Sequence, residues 1–128
     1  MKTYTIALAV IKYRSRYLIA KHPDRRLNPG RWEFLYAMIG GEEPAEDAVL
    51  RLVLQKTGLK GKVTKSSDPY VIKTDVNRWI VIPFIVEMFS DRLKADPSYA
   101  EMKWVSVSEL EEYEDIVDVE MLKKKGLL

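Results

Sequence analysis

The 128-residue sequence contains no cysteine and only one histidine, so several kinds of catalytic chemistry have no residue to perform them. Without cysteine the chain forms no disulfide, binds no metal through thiolates and offers no cysteine nucleophile. His22 precedes Pro23 in a loop, and no carboxylate partner is evident that would orient it as a general base. The serine-hydrolase pattern G-x-S-x-G is also absent, so a serine nucleophile has no support.

A strong charge of one sign and a long apolar run are missing as well. Lys and Arg number 21 against 19 Asp and Glu, and a net charge of +2 is too mild to indicate a nucleic-acid polymer or a membrane as partner. No run approaches the ~20 apolar residues of a membrane-spanning helix. The first ten residues alternate in polarity rather than forming a signal-peptide core. We therefore expect a soluble, cytoplasmic protein, of an oligomeric state that the sequence does not indicate.

What is present fits a single domain over residues 1–128, because 47 % of the residues are apolar and can form a core. Pro44 is tolerated in the first turn of a helix, and Gly58 suits a left-handed helix cap. Helices are predicted over Pro44–Thr57, from Ser106 or Ser108 to about Tyr113, and over Val117–Lys125. Strands are predicted over Tyr4–Tyr13, Tyr17–Lys21, Trp32–Ile39, Lys62–Thr74 (interrupted near Asp68-Pro69), Trp79–Phe89 and Met102–Val105. This order predicts an α/β sandwich with a mixed sheet between helices.

The stretch from Ala37 to Leu59 resembles the box of the Nudix (MutT-like) family, G-x5-E-x7-R-E-U-x-E-E-x-G-U, in which U is aliphatic. The sequence matches this box without a gap at Glu43, Arg51, Val53, Gly58 and Leu59. The approach segment Trp32-Glu33-Phe34 is similar to the W-E-F that leads into the box in nucleotide-cleaning members. The later segment from Glu101 to Val105 is similar to the E-x-x-W-V close of many members. The resemblance implies a Nudix-type α/β/α sandwich.

The departures from the box are concentrated at the positions that carry its chemistry. Ala37 replaces the first glycine, and Leu52, Gln55 and Lys56 replace the three helix glutamates. In the family those carboxylates hold Mg²⁺ or Mn²⁺, which polarises a diphosphate and activates a water molecule. At ~100° per residue, positions 48, 52, 55 and 56 share one helix face. The expectation is therefore that diphosphate hydrolysis is lost or strongly impaired.

Three interpretations of this helix stay open. In the first it only packs the core, and Leu52 joins Ala45, Val49 and Val53 there. In the second a binding cleft survives, and Lys56 contacts an anion directly in place of the metal. In the third a metal site is rebuilt from carboxylates elsewhere, for which the candidates are Glu42, Glu43, Glu46 and Glu101.

The resemblance also assigns roles outside the helix face. Glu43 and Arg51, with Gly58, correspond to structural box positions, where the charged pair fixes the loop onto the helix. If hydrolysis survives, Glu43 and Glu101 are the catalytic candidates. The substrate-binding candidates are Arg25, Arg26, Trp32, Phe34 and Lys56. The arginines would contact phosphates, or they would simply lie in a solvated loop. The aromatic rings would stack on a base, or at least one of them would pack in the core.

The preferred functional hypothesis is a Nudix-fold domain that binds a nucleotide or another phosphorylated small molecule. One alternative is an active hydrolase, dependent on Mg²⁺ or Mn²⁺, of nucleoside diphosphate-linked compounds such as (deoxy)nucleoside triphosphates. A second alternative, from a different class, is a protein-interaction module with an interface from Val117 to Leu128.

Overall fold

The structure is a computed structural model that describes residues 1–21, 31–94 and 101–128. Within these ranges the chain forms one mixed sheet and a small number of helices. The strands are β1 (Lys2–Tyr13), β2 (Arg16–Lys21), β3 (Trp32–Glu33), β4 (Leu35–Met38), β5 (Gly61–Ser66), β6 (Tyr70–Lys73), β7 (Asn77–Met88) and β8 (Glu101–Ser106). The helices are α1 (Ala45–Thr57), α2 (Val107–Leu110) and α3 (Asp118–Lys124). None of them combines the length and the apolar character that a bilayer crossing requires.

Strand β1 lies at the centre of the sheet. It runs parallel to β7 in an unbroken register from Lys2 opposite Asn77 to Lys12 opposite Glu87. On its other edge β1 pairs antiparallel with β4 and, near the hairpin, with β2. Beyond these, β2 pairs with β3 and β8, while β7 pairs with β5 and β6, all antiparallel. The predicted mixed sheet is confirmed.

The two faces of the sheet carry separate apolar cores, because side chains alternate along each strand. Helix α1 packs on one face through a cluster that includes Ala7, Ala9, Leu35, Ala37, Ala48, Val49, Leu52 and Val53. The other core includes Ile6, Leu8, Val10, Phe34, Leu110, Val119, Leu122 and Leu127, so α2, α3 and the end of the described chain cover the second face. The predicted α/β/α sandwich is confirmed.

Two predicted elements differ from the structure in their extent. The single strand expected over Trp32–Ile39 is divided at Phe34, because β3 pairs with β2 whereas β4 pairs with β1. The helix after Ser106 ends at Leu110 rather than near Tyr113. Ser106 caps the start of this helix, as predicted. Its side chain accepts a hydrogen bond from the backbone N–H of Glu109, and the Glu109 carboxylate accepts one from the backbone N–H of Ser106.

Pro83 occupies a place in β7 where its missing N–H costs little. The register of β7 against β1 continues through Pro83, which lies opposite Leu8. On the outer edge of β7, β5 pairs as far as Phe84 and β6 pairs from Val81, so the outer ladder is interrupted beside Pro83. A proline is tolerated in a strand where no ladder bond is required of it.

Candidate functional site

The box loop and α1 begin and end as their sequence indicates. Pro44 precedes the helix and its carbonyl accepts from the backbone N–H of Ala48. Gly58 ends the helix in the left-handed conformation, with φ of 71°, and its N–H bonds to the carbonyl of Leu54. A Cβ atom at Gly58 would lie 2.4 Å from Cδ of Lys94, whose stem crosses the glycine. Glycine is therefore favoured here by the left-handed backbone and by the close approach of the Lys94 stem.

Glu43 and Arg51 form a bidentate ion pair that ties the loop to the helix. Nη2 of Arg51 lies 2.8 Å from Oε1 of Glu43, and Nε lies 3.1 Å from Oε2. The hydrogen bonds from Arg51 hold the pKa of the Glu43 carboxyl below its usual range. A third nitrogen of the guanidinium, Nη1, donates to Oε1 of Gln55 at 3.4 Å. Arg51 thus engages both the carboxylate of Glu43 and the amide oxygen of Gln55.

The helix face that carries positions 48, 52, 55 and 56 is divided between core and surface. Ala48 and Leu52 are buried, and Leu52 is only 6 % exposed within the apolar cluster between α1 and the sheet. Gln55 is exposed and Lys56 is half-buried. Leu52 therefore packs the core, as the first interpretation of the helix describes.

The side chains at these positions do not fit a divalent cation. Mg²⁺ requires several oxygen ligands, whereas Leu52 supplies none, the Gln55 oxygen accepts from Arg51 and Lys56 adds a positive charge. Glu42 and Glu46 are exposed at the start of α1, and Glu101 is exposed at the start of β8. Across the part of the chain that the structure describes, no three His, Cys, Asp or Glu side chains converge to hold a metal ion.

A pocket of about 500 Å³ lies on the face of the sheet opposite α1. Its floor is formed by β1 and β7 and one wall by the segment from Arg31 to Tyr36. The turn between β6 and β7 and the residues from Asp115 to Asp118 complete it. Ligand pockets in proteins have volumes of roughly 300–1,000 Å³, so this pocket is large enough for a nucleoside.

Four aromatic side chains border the pocket, namely Trp32, Phe34, Tyr36 and Trp79. Trp79 stacks on Tyr4, with ring centroids 4.8 Å apart and an interplanar angle of 27°. Phe34 is 1 % exposed and belongs to the core, whereas Trp32 is half-buried. The two residues are two apart along the chain and share a face of the sheet, so both reach this pocket.

The charged groups of the pocket are of both signs. Arg31, Lys73 and Asp115 are exposed at its margin, and Glu33 is half-buried. Asp118 lies deeper, and Oδ1 accepts from the Tyr70 hydroxyl at 2.5 Å. Burial raises the pKa of the Asp118 carboxyl, and the hydrogen bond from Tyr70 opposes part of that rise. Burial, with Asp118 alongside, also raises the pKa of the Tyr70 hydroxyl.

The structure brings together some of the residues that the sequence singled out and separates others. Trp32 and Phe34 border the pocket, while Lys56 lies on α1 against the other face of the sheet and does not border it. His22, Arg25 and Arg26 lie outside the described residues. Sequence reasoning missed Tyr36, Lys73, Trp79 and Asp118 as pocket residues. Trp79 follows a predicted turn, and this was the one feature of the sequence that placed it near the end of a strand.

Comparison with known proteins agrees with this architecture. A NUDIX domain model matches residues 3–124, so the chain belongs to the NUDIX domain family, and the family expected from the box is confirmed. None of the curated proteins compared with the chain matches it significantly.

Among solved structures, the MutT protein from Methanosarcina mazei Go1 has a TM-score of 0.82 at 17 % identity, with 98 % of this chain and 96 % of that chain covered. The E. coli ORF135 protein has a TM-score of 0.76 at 21 % identity, with 96 % and 88 % covered. The MutT NUDIX hydrolase from Burkholderia pseudomallei has a TM-score of 0.69 at 18 % identity, with 84 % and 86 % covered. At these identities the likeness establishes the fold.

Proposed function

We propose that this NUDIX-family chain binds a nucleotide or another phosphorylated small molecule in the pocket opposite α1, and that its diphosphate hydrolysis is lost or strongly impaired. The observation that carries the proposal is the contrast between the two faces of the sheet. One face has an aromatic pocket with cations at its margin. The other has a box helix whose metal-binding positions are occupied by Leu52, Gln55 and Lys56.

The pocket chemistry supports a ligand that combines a flat ring with an anionic group. Stacking of a base on an aromatic side chain contributes ~1–3 kcal/mol, and Trp32 and Trp79 both border the pocket. Arg31 and Lys73 stand at the margin, where guanidinium and ammonium groups neutralise phosphate. Asp118 offers an acceptor to an N–H group of a ring placed between these walls.

The loss of hydrolysis follows from the donor chemistry of α1. The family reaction depends on carboxylates that hold divalent ions near the diphosphate. Leu52 is buried in the core, and a cation bound near Lys56 would meet another positive charge. Two unit charges 4 Å apart repel by ~4 kcal/mol at an effective dielectric constant of about 20, which offsets much of the affinity of a weak site.

The interaction-module alternative receives less support from the segment on which it depended. Val119, Leu122 and Leu127 are all buried in the core of their own chain. Val117 is 60 % exposed, but it lies at the margin of the pocket. The apolar residues of the segment therefore serve mainly to close the fold over the second face of the sheet.

The test is a panel of nucleoside tri- and diphosphates, ADP-ribose and dinucleoside polyphosphates, each examined by calorimetry and thermal shift with and without Mg²⁺ or Mn²⁺. A ligand at a hundred times its dissociation constant stabilises the folded state by about 2.7 kcal/mol, or about 10 °C for this chain length. We expect one compound to bind without metal. Lys73→Met should weaken it, whereas Lys65→Met, on the same sheet edge but away from the pocket, should not.

Two outcomes would contradict the proposal in different ways. Divalent-dependent turnover at the roughly 1–10³ s⁻¹ of ordinary enzymes would show that hydrolysis survives, and loss of that turnover in Glu43→Gln and Glu101→Gln would assign the metal site. Absence of binding by every compound in the panel would remove the nucleotide assignment. Lys56→Met tests whether the phosphates of a bound ligand reach α1, because the ligand would then bind more weakly to that variant.

A further inference from the structure

One ammonium group joins two aromatic rings that come from distant parts of the chain. Lys103 lies in β8, and its Nζ is 4.6 Å from the ring centroid of Trp32 and 5.0 Å from that of Tyr113. The two rings meet edge to face, with centroids 5.9 Å apart and an interplanar angle of 69°. Each contact has the geometry of a cation–π interaction, which requires the cation within about 6 Å of the ring.

These contacts lie behind the pocket rather than inside it. Trp32 borders the pocket, whereas Lys103 and Tyr113 do not. Lys103 therefore approaches Trp32 from outside the pocket. A second ammonium, that of Lys21, also lies outside the pocket and is 5.9 Å from the centroid of Trp32, near the limit of such an interaction.

Tyr113 extends the contact to a second segment that lines the pocket, residues 115–118. Its carbonyl accepts from the backbone N–H of Ile116 at 3.2 Å, and its own N–H donates to Leu110 at 3.1 Å. Ile116 is 4 % exposed and borders the pocket within the segment from Asp115 to Asp118. The Tyr113 ring and backbone thus connect the ammonium of Lys103 to this segment, while Trp32 connects it to residues 31–36.

The ammonium stays charged, as the interaction requires. The hydrogen bond with the Tyr113 hydroxyl raises the pKa of Lys103 above its ordinary value. A neutral side chain of the same length would retain the packing of the stem and lose the attraction to both rings. This difference separates a role of the charge from a role of side-chain volume.

We propose that Lys103 is a positioning residue for the ligand pocket, where its ammonium binds Trp32 and Tyr113 together and so fixes the positions of two segments that line the pocket, residues 31–36 and 115–118, relative to each other. The proposal deepens the proposed function, on which its binding readout rests. Lys103 itself does not border the pocket, so it acts through the two rings and not by touching the ligand.

The test compares Lys103→Met, Lys103→Arg and the control Lys21→Met by calorimetry with ATP and GTP in the absence of metal. Lys103→Met should weaken nucleotide binding about three- to tenfold, which is the range expected for loss of a partly buried cation–π contact. Lys103→Arg should bind the nucleotide about as tightly as the wild type, because a guanidinium also interacts with aromatic faces. Lys21→Met should change the affinity less, since its contact with Trp32 is longer.

A second readout does not depend on nucleotide binding. The chain has three tryptophans, Trp32, Trp79 and Trp104, so subtracting the signal of the matching Trp32→Phe protein isolates the fluorescence of Trp32. Acrylamide quenching of Trp32 should increase in Lys103→Met and return to the wild-type value in Lys103→Arg. A general loss of structure would raise quenching in both variants alike.

The outcomes separate this proposal from the proposed function. Unchanged Trp32 quenching in folded Lys103→Met overturns the positioning role, as does unchanged affinity when the wild type binds. If the wild type binds neither ATP nor GTP, affinities are compared with the panel compound that it does bind. Absence of binding by every compound contradicts the proposed function, whereas quenching still decides whether Lys103 holds Trp32. If Lys103→Met does not fold, Tyr113→Leu is measured in its place, with the same expected increase in Trp32 quenching and the same refuting result.

Discussion

Replacing Asp118 by asparagine removes a buried titratable carboxyl while keeping an oxygen that accepts the Tyr70 hydroxyl. Because burial raises the pKa of Asp118, the folded chain binds its proton more tightly than the unfolded chain does. The contribution of Asp118 to the free energy of unfolding is therefore greatest below the ordinary aspartate pKa of ~3.9. It falls as the pH rises, until the folded pKa has been passed.

The size of the effect follows from the chain length. Each pKa unit corresponds to about 1.4 kcal/mol. An unfolding entropy of about 2.1 cal/mol/K per residue gives about 0.27 kcal/mol/K for 128 residues. Each pKa unit is therefore worth about 5 °C in Tm. Asp118→Asn abolishes this pH dependence, so its Tm should rise relative to wild type as the pH increases from 3.5 to 8.

The assay is thermal unfolding across that pH range for wild type, Asp118→Asn and two reference variants. Asp115→Asn controls for loss of one negative charge, because Asp115 is exposed at the same pocket. Tyr70→Phe leaves the buried Asp118 carboxyl without this hydrogen bond, at a cost of about 1–3 kcal/mol. Its Tm should fall by about 4–11 °C, and its pH dependence should steepen, because the hydrogen bond opposes part of the rise in the pKa of Asp118. A constant Tm difference between Asp118→Asn and wild type at every pH would refute this reasoning.

Three further predictions concern α1. Leu52→Ala should lower the free energy of unfolding by about 2–5 kcal/mol in urea titration, while Leu54→Ala, at a position that is 47 % exposed, should cost much less; equal costs would contradict the core position of Leu52. Gly58→Ala should lower the free energy of unfolding by about 1–2 kcal/mol because of its left-handed backbone. Any larger loss should be reduced when Lys94→Ala is added, and a larger loss that stays the same would show that the new Cβ does not meet the stem of Lys94. The combined variant Leu52→Glu, Gln55→Glu and Lys56→Glu should raise Mg²⁺ affinity in calorimetry if α1 keeps the family geometry, and no gain in a variant that folds would contradict that geometry.

Local chemistry was enough to predict α1 and the long strands. Pro44 and Gly58 limit the helix in sequence, and they lie next to its ends in the structure. The division at Phe34 had no such sign, since neither glycine nor proline marks it. It arises because the partner of the chain changes from β2 to β1, and partner choice is decided by the whole sheet rather than by local propensity.

The pocket was harder to foresee than the fold. It is assembled from segments that are far apart in sequence, and their meeting depends on where the turn between β6 and β7 and the residues before α3 lie relative to the sheet. Asp118 follows a run of acidic residues, and nothing in composition distinguishes it from the exposed Glu114 or Asp115. Only its burial beside Tyr70 sets it apart, and burial is a tertiary property.

The alternation along β4 separates two sets of effects within one short strand. Tyr36 faces the pocket, while its neighbour Ala37 faces the core beneath α1. A substitution of Ala37 therefore acts on the packing of α1, and a substitution of Tyr36 acts on the pocket. Under the proposed function, changes on α1 would alter hydrolysis and leave the ligand pocket on the other face of the sheet intact.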